Sequence, residues 1–507
     1  MRNPTLSRFI FSLTCCAALA CRPTETQYVV PSSSPLFAAV DSTAQRFFDL
    51  GASPGLGIVV VRDTQVIYMR GFGYADVEGR RPFIPSTQFY IASTTKSFTG
   101  LASAILAERG VWSLDAPLSR FLPNLSLQAP LTADSITIRN LLTHTHGIGN
   151  EGPVVIRLAY TGEYVGNREL MELLKEHRPA KNGREFAYGN LGYNVAGFAM
   201  EATTGESWKE TLRRVLFEPL GMSSTTAYAS RVPRDHVALP YKVTATGYAP
   251  AHFGKTDANM QSAGGLFSTL SDMARWLEVH INDGMLDGRQ VLPAAAVMES
   301  HKLGATTSQS SQSGRGLRQI GYGLGWQIAV RGEDTLLMHG GGFPGYATHM
   351  SFNPKERLGV VVMANNSDLG GGLVELTAFA IYDAIRAGKA IDPAAMSEIR
   401  TQLERARTRM GEDLARRAAR PQTLPYQLES YVGSYVNPLY GQLVLSLENG
   451  KLEARMGAAW SAVEVYDSAT NKLRLELFGN GEVATVTMSD GRASLITVSG
   501  MEFRRKS

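Results

Sequence analysis

The chain has 507 residues, 44% of them apolar and 19% charged, which allows about three domains with a large buried core and excludes a disordered chain, a collagen, a coiled coil and a polytopic membrane protein. Fifty basic residues against 46 acidic ones leave a net charge of +4, too even for the electrostatic footprint of a nucleic-acid binder. Three cysteines cannot build a disulfide scaffold.

Those cysteines, Cys15, Cys16 and Cys21, all lie near the start. Arg2 and Arg8 flank the beginning of an apolar run, Phe9 to Ala20, that is too short to span a bilayer and ends in the small-x-small pattern Ala18-Leu19-Ala20. Residues 1–20 therefore read as a secretory signal peptide. Cleavage after Ala20 would leave Cys21 as the new N-terminus and the sole thiol. A lone exposed thiol is a liability in an oxidising compartment, and a lipid attached at Cys21 would remove it. The preceding residues fit a relaxed bacterial lipobox, with Ala18 where Leu is usual. The expectation is an exported protein, periplasmic or anchored to a membrane through that lipid, with a soluble secreted form as the alternative. Residues 21–35 are rich in Ser, Thr and Pro and read as a flexible tether.

Residues 36–390 mix helical and strand patterns without repeats. Gly57–Val61 and Val66–Met69 are β-rich runs that predict a hairpin opening a sheet. Phe98, Leu101, Ala102, Ile105 and Leu106 have helical spacing, and Gly110 is a natural stop. Leu336–His339, Tyr346–Phe352 and Gly359–Ala364 read as consecutive antiparallel strands, with Gly341–Gly345 turning the first pair. Residues 391–423 are charged and Arg-rich and predict a solvated helical linker, since interleaved acids argue against a basic membrane-surface helix. Residues 424–507 change to period two. Leu443, Leu445 and Leu447 alternate before Asn449-Gly450, and Leu473, Leu475 and Leu477 before Asn480-Gly481. Asp490-Gly491 makes a third turn. This region predicts a small antiparallel barrel or sandwich.

The sharpest chemical feature is Ser93-Thr94-Thr95-Lys96, the one S-x-x-K in the sequence. It follows the β-like Gln88–Ile91 and opens the predicted helix. On a helix, positions i and i+3 share a face, so Lys96 can take the Ser93 proton once burial favours the neutral amine. The helix N-terminus offers backbone N–H groups where an oxyanion would form. The plain alternative is an N-capping serine with an exposed lysine. A second feature, Tyr188-Gly189-Asn190, sits just ahead of a helix predicted from about Leu191 to Thr204. A tyrosine beside a lysine can act as general base, and Asn190 can hold the lysine, bind a substrate amide or simply cap the helix. Tyr435-Val436-Asn437 repeats the pattern in the C-terminal region. A third feature, His339-Gly340-Gly341-Gly342, ends a predicted strand. Its glycines allow close approach and its amides can complete an oxyanion hole. His252-Phe253-Gly254 repeats that triplet.

In their order, Ser93-x-x-Lys96, Tyr188-x-Asn190 and His339-x-Gly341 resemble the serine β-lactamase and penicillin-binding-protein superfamily, in its class C-like branch. Gly71–Asp76, Ile136–Thr145, Pro219–Met222 and Ala263–Thr269 support the match, which covers roughly residues 36–387. The C-terminal part resembles the small β domain appended to many members of that branch. The resemblance implies an α+β fold: a central antiparallel sheet flanked by helices, a helical lobe, then an all-β barrel-like domain. It implies acyl transfer through a serine ester without a metal or other cofactor. Ser93 is the expected nucleophile, Lys96 and Tyr188 the proton carriers, and the N–H groups of Ser93 and Gly342 the oxyanion donors. Asn190, His339 and Gly341 are expected to bind substrate. The expected partner is a small-molecule or peptide substrate: an ester, an amide, a D,D-peptide or a β-lactam. A slow-turnover penicillin or peptidoglycan sensor is the competing expectation, and a binding protein worked by its β domain is another. His339 stands where many β-lactamases have the lysine of Lys-Thr-Gly. A mostly neutral imidazole attracts a carboxylate less than a lysine does, which favours an ester or peptide over a β-lactam.

Two motifs carry little. Gly51-Ala52-Ser53-Pro54-Gly55 matches a nucleophile elbow by letter, but Pro54 has no N–H to donate to an oxyanion. His144-Thr145-His146 lacks a nearby acid to complete a metal site.

Overall fold

The computed structural model describes residues 35–506, apart from 150–151, 163–166, 252–253, 308–311, 314–315 and 480. The expected signal peptide, Cys21 and nearly all of the tether lie outside the described residues, as do His252 and Asn480.

The first strand shows why the sheet sits where it does. In β1 (Gly55–Arg62) nearly every residue is buried. Ile58 and Val60 join one apolar cluster, while Val59 and Val61 join another. Alternate side chains leave opposite faces of a strand, so an unbroken valine run marks a strand covered on both sides. One face packs against α1 (Pro35–Asp49) through Phe37, Val40 and Phe47. The other packs against the helix Leu270–Ile281, where Leu270 lies over Gly57, and α2 (Thr95–Glu108) joins the same apolar cluster through Phe98 and Leu101. β1 turns at Asp63, which has φ +53, into β2 (Gln65–Asp76), as the alternation predicts.

The remaining large strands are β3 (Leu317–Tyr322), β4 (Gln327–Arg331), β5 (Asp334–Phe343), β6 (Tyr346–Asn353) and β7 (Leu358–Ala364). They join in the order β3-β4-β5-β6-β7-β1-β2, with short strands completing a ten-stranded antiparallel sheet. β1 therefore lies inside the sheet, paired to β7 on one side and β2 on the other. A lobe of short helices fills the middle of the chain and includes α3 (Leu191–Thr204), which starts where the sequence pattern starts it.

One element departs from expectation. The Gly341–Gly345 run reads as a turn, yet β5 continues to Phe343, with Gly341 opposite Thr348 and Gly342 opposite Ala347. Only Pro344 and Gly345 turn the chain. The strand extends because its glycines fit a crowded ladder: a Cβ on Gly341 would lie 2.2 Å from the Ile91 carbonyl oxygen.

Beyond the sheet, Ser397–Ala418 forms a long polar helix that buries only Ile399 and Leu403. The chain then enters a nine-stranded antiparallel sheet between Gly433 and Arg505. Its two edge strands, Ala459–Ala462 and Glu464–Asp467, are consecutive in the chain. The sheet thus curls back to its own beginning as a nearly closed barrel. Asn449-Gly450 and Asp490-Gly491 turn with positive φ at both residues, the backbone that tight hairpins require. Leu443, Leu445, Leu473 and Leu475 point into a core separate from that of the large sheet.

Candidate functional site

Ser93 lies in a single 3-10 turn, Ala92–Thr94, that leads into α2. The turn is pinned from both ends. Ile91 N–H donates to the Leu266 carbonyl at 3.0 Å, and the Thr94 hydroxyl donates back to the Ile91 carbonyl at 2.7 Å. Ala92 is forced to φ +48, a left-handed backbone that costs a non-glycine residue about 1 kcal/mol or more. Such strain concentrates at functional positions. One turn of helix later comes Lys96, fully buried.

The Lys96 ammonium meets three acceptors. It donates to Ser93 Oγ at 3.2 Å, Asn190 Oδ1 at 2.7 Å and the Ala263 carbonyl at 2.9 Å. Three protons meet three oxygens. Asn190 begins α3, but its side chain makes no cap bond there, so it serves the lysine rather than the helix. One turn on, Asn194 Oδ1 accepts from the Ala263 amide at 3.3 Å, so α3 steadies two of the three acceptors. Gly325, at φ +89, lets the following loop lie on the Lys96 backbone, where a Cβ would sit 2.4 Å from the Lys96 carbonyl.

Tyr188 is 45% exposed, and its ring stands 4.9 Å from the Lys96 Nζ. The loop that carries it is clamped by His144. The Ala187 N–H donates to the His144 carbonyl at 3.0 Å, and the Gly189 N–H to His144 Nδ1 at 3.3 Å. The imidazole packs on the Tyr188 and Tyr322 rings at 4.7 and 4.6 Å. Burial, then the Lys96 charge, hold it well below the usual histidine value. His146 is committed too, with its Nδ1 accepting from the Ile148 N–H at 3.1 Å. Among the described residues no group of three or more His, Cys, Asp or Glu is placed to hold a metal ion.

β5 closes the opposite side. Gly341 lies against Ile91 and Ser93, whereas a Cβ on Gly342 would enter open space. His339 is buried with both ring nitrogens engaged. Nδ1 lies 2.7 Å from the Gly340 carbonyl, which can only accept, so Nδ1 carries the proton. Nε2 then accepts from the Tyr322 hydroxyl at 2.9 Å. Burial first, and the Lys96 charge second, push this imidazole down to about 3. It is neutral and spent on the protein.

The structure thus gathers Ser93, Lys96, Tyr188, Asn190, His339, Gly341 and Gly342 at one place. Sequence reasoning misses Tyr322 and the Ala263 carbonyl, and it leaves His144 outside the site. A backbone carbonyl has no side-chain signal, and Tyr322 stands in no motif. The look-alike motifs lie elsewhere. Ser53 is buried and donates to the Gly55 carbonyl at 2.7 Å. Tyr435 donates to the Tyr431 carbonyl at 2.6 Å inside the barrel.

Among curated proteins the chain is similar to Protein flp of Staphylococcus aureus strain COL, at 27% identity over 342 residues. The match takes in 66% of this chain and 64% of that protein, so the chain spans less than two thirds of its relative's length. Among solved structures it superposes on the octameric penicillin-binding protein homologue from Pyrococcus abyssi, with TM-score 0.57 and 22% identity, over 92% of this chain and 98% of the other. It superposes also on the D-amino acid amidase from Ochrobactrum anthropi SV3, with TM-score 0.57 and 23% identity, over 70% of this chain and the whole of that one. These likenesses speak to the fold, the first of them through the barrel as well. Residues 40–380 match the profile of the Beta-lactamase family, and the chain belongs to that family, within the serine β-lactamase and penicillin-binding-protein superfamily.

Proposed function

We propose that this protein is a serine hydrolase that forms a covalent acyl-enzyme on Ser93 and cleaves a small ester, amide or peptide. The observation that carries it is the Lys96 amine with its three acceptors. Of those three, only the Ser93 hydroxyl can also donate. If Lys96 gives up one proton, Asn190 and Ala263 keep the two that remain, and the freed lone pair faces Ser93. The amine is thereby aimed at the hydroxyl proton.

In the reaction Lys96 acts as the neutral amine, having released one proton to solvent, and Ser93 Oγ attacks the carbonyl carbon as its proton passes to that amine. The N–H groups of Ser93 and Gly342 receive the developing oxyanion, each worth about 3–4 kcal/mol in comparable sites. Tyr188, beside the lysine and open to solvent, relays the proton to the leaving group. Water then attacks the ester, and the same groups work in reverse. His339, with both nitrogens engaged, holds β5 and Tyr322 in place rather than contacting substrate. Relatives and neighbours named as a penicillin-binding protein, a D-amino acid amidase and a hydrolase with acyltransferase activity support acyl transfer as the chemistry.

The test is a panel of p-nitrophenyl esters, D-amino acid amides, D-Ala-D-Ala peptides and cephalosporins, followed by intact-mass measurement. Ser93→Ala is expected to abolish both turnover and the acyl mass adduct while keeping the wild-type melting temperature. Wild-type rates in that variant would sink the assignment. Export with lipid on Cys21 belongs to the same proposal. Fatty-acid labelling lost in Cys21→Ala is the expected result, and labelling that persists refutes it.

A further inference from the structure

The site-facing side of β5 ends at a lysine that acyl transfer does not use. Residues two apart on a strand share a face and lie about 7 Å from each other. His339, Gly341 and Phe343 therefore form a row, with Gly341 against Ser93 at its middle. The His339 end is neutral. At the Phe343 end, the Lys255 Nζ stands 3.4 Å from the centre of the Phe343 ring and 4.6 Å from that of Tyr90.

Lys255 donates to the Ala159 carbonyl at 2.8 Å. An ammonium has three protons to place, and aromatic faces offset only part of the cost of enclosing a charge. Among the described residues no carboxylate pairs with it. Asp257, two residues on, turns its carboxylate to the Ser230 amide and hydroxyl at 2.9 and 2.6 Å. Burial alone, with no counter-charge, pushes the Lys255 amine well below the usual lysine value. The same side chain borders a cavity of about 820 Å³ whose wall includes Arg234, Ser230, Thr256, Phe267 and Tyr346. Two segments of that wall lead in the chain to the site: Phe267 follows Ala263, and Tyr346 follows Gly342.

We propose that Lys255 receives a carboxylate carried by the substrate, at the Phe343 end of β5. This rests on the acyl-transfer reading and narrows its substrate class to carboxylate-bearing esters, amides or peptides. The incoming carboxylate supplies the missing counter-charge and accepts protons that now face aromatic rings. It also restores, at the opposite end of the strand face, the cation that is missing at His339.

Two substrate pairs test it. p-Nitrophenyl hydrogen glutarate against p-nitrophenyl butyrate places the charge on the acyl side. N-benzoylglycyl-thioglycolate against its methyl ester places it on the leaving side. In one pair the charged member is expected to show the lower KM. Lys255→Met is expected to cut its kcat/KM relative to the neutral member about tenfold, through KM, the effect of losing one charge-assisted hydrogen bond. Lys255→Arg is expected to keep most of the preference. No preference in either pair, or equal losses on charged and neutral members, overturns the proposal. If none of the four is turned over and the wider panel of esters, amides, peptides and cephalosporins is silent too, it is the acyl-transfer reading that has failed. Calorimetric titration with glutarate then decides the site by itself. Binding that is lost in Lys255→Met supports it, and binding that is absent or survives overturns it.

Discussion

At the scale of single residues, the site is a problem of proton count. Lys96 is satisfied as an ammonium by Ser93, Asn190 and Ala263, and losing one proton disturbs only the serine. Tyr188 is different, because nearly half of it is exposed and its ring, not its hydroxyl, makes the packing contacts with His144, Tyr322 and His339. Tyr188→Phe keeps the ring beside Nζ and deletes only the hydroxyl. The variant is expected to lose about 10²–10⁴ in kcat, the usual cost of removing a general base, with no change in melting temperature. An unchanged rate and pH profile would remove Tyr188 from the mechanism. Much of this site is legible in the sequence, since Ser93, Lys96, Tyr188 and Asn190 come in a spaced order that few folds use. Tyr322 and the Ala263 carbonyl are not legible. They reach the site by tertiary packing, and neither residue type nor spacing announces them.

At the scale of elements, β5 determines how closely substrate and serine can meet. Alternation along it puts Gly341 against Ile91 and Ser93 and leaves Gly342 facing open space. Gly341→Ala sets a Cβ 2.2 Å from the Ile91 carbonyl, so strand and serine must part. A shift near 1 Å at reacting groups costs about 10²-fold in rate, and that loss in kcat/KM is expected, with a lowered melting temperature. Gly342→Ala, with room for its methyl, is expected to melt like the wild type. Thermal melts of the two variants check this pair, and equal melting temperatures would refute the close approach. The sequence pattern marks β1, α2 and α3 well because periodic apolar residues fill them. It cuts β5 short because glycine reads as a turn wherever no side chain reports the ladder.

At the scale of the whole molecule, the barrel has its own core but is not free of the rest. Ala458 N–H donates to the Thr161 carbonyl at 2.8 Å, Lys242 pairs with Glu476 at 3.1 Å, and Tyr160 meets Phe478 edge-on at 5.4 Å. Leu439 packs against the core of the large sheet. A chain ending at residue 423 is expected to fold, since both clusters of the large sheet are built without the barrel apart from Leu439. It is expected to melt several degrees lower, a drop of roughly 1–2 kcal/mol. An insoluble product would show that the two regions fold as one. Acid is a second global lever. His146 and His339 are buried, His301 is partly so, and desolvation first holds the three down, in chain order, to about 4, 3 and 3. Unfolded, each returns to about 6.5. The unfolded chain therefore takes up protons that the fold refuses. Stability is full above pH 6.5 and falls below it by roughly 1.4 kcal/mol per histidine per pH unit, until each folded value is reached. Melting temperatures recorded from pH 8 to pH 5 should drop below pH 6.5, and a flat profile would show that these imidazoles are hydrated.

The place of β1 sets a schedule for the ribosome. Ile58 has Val362 as its partner across the sheet, so a strand translated among the first must wait for one translated near the end of the family region. At roughly 5–20 residues per second, its valines stay uncovered until the residues between 62 and 358 have been made. The nascent chain is thus a natural client for a holding chaperone. A premature stop anywhere before β7 would yield not a shorter folded protein but a polypeptide with an open, adhesive edge.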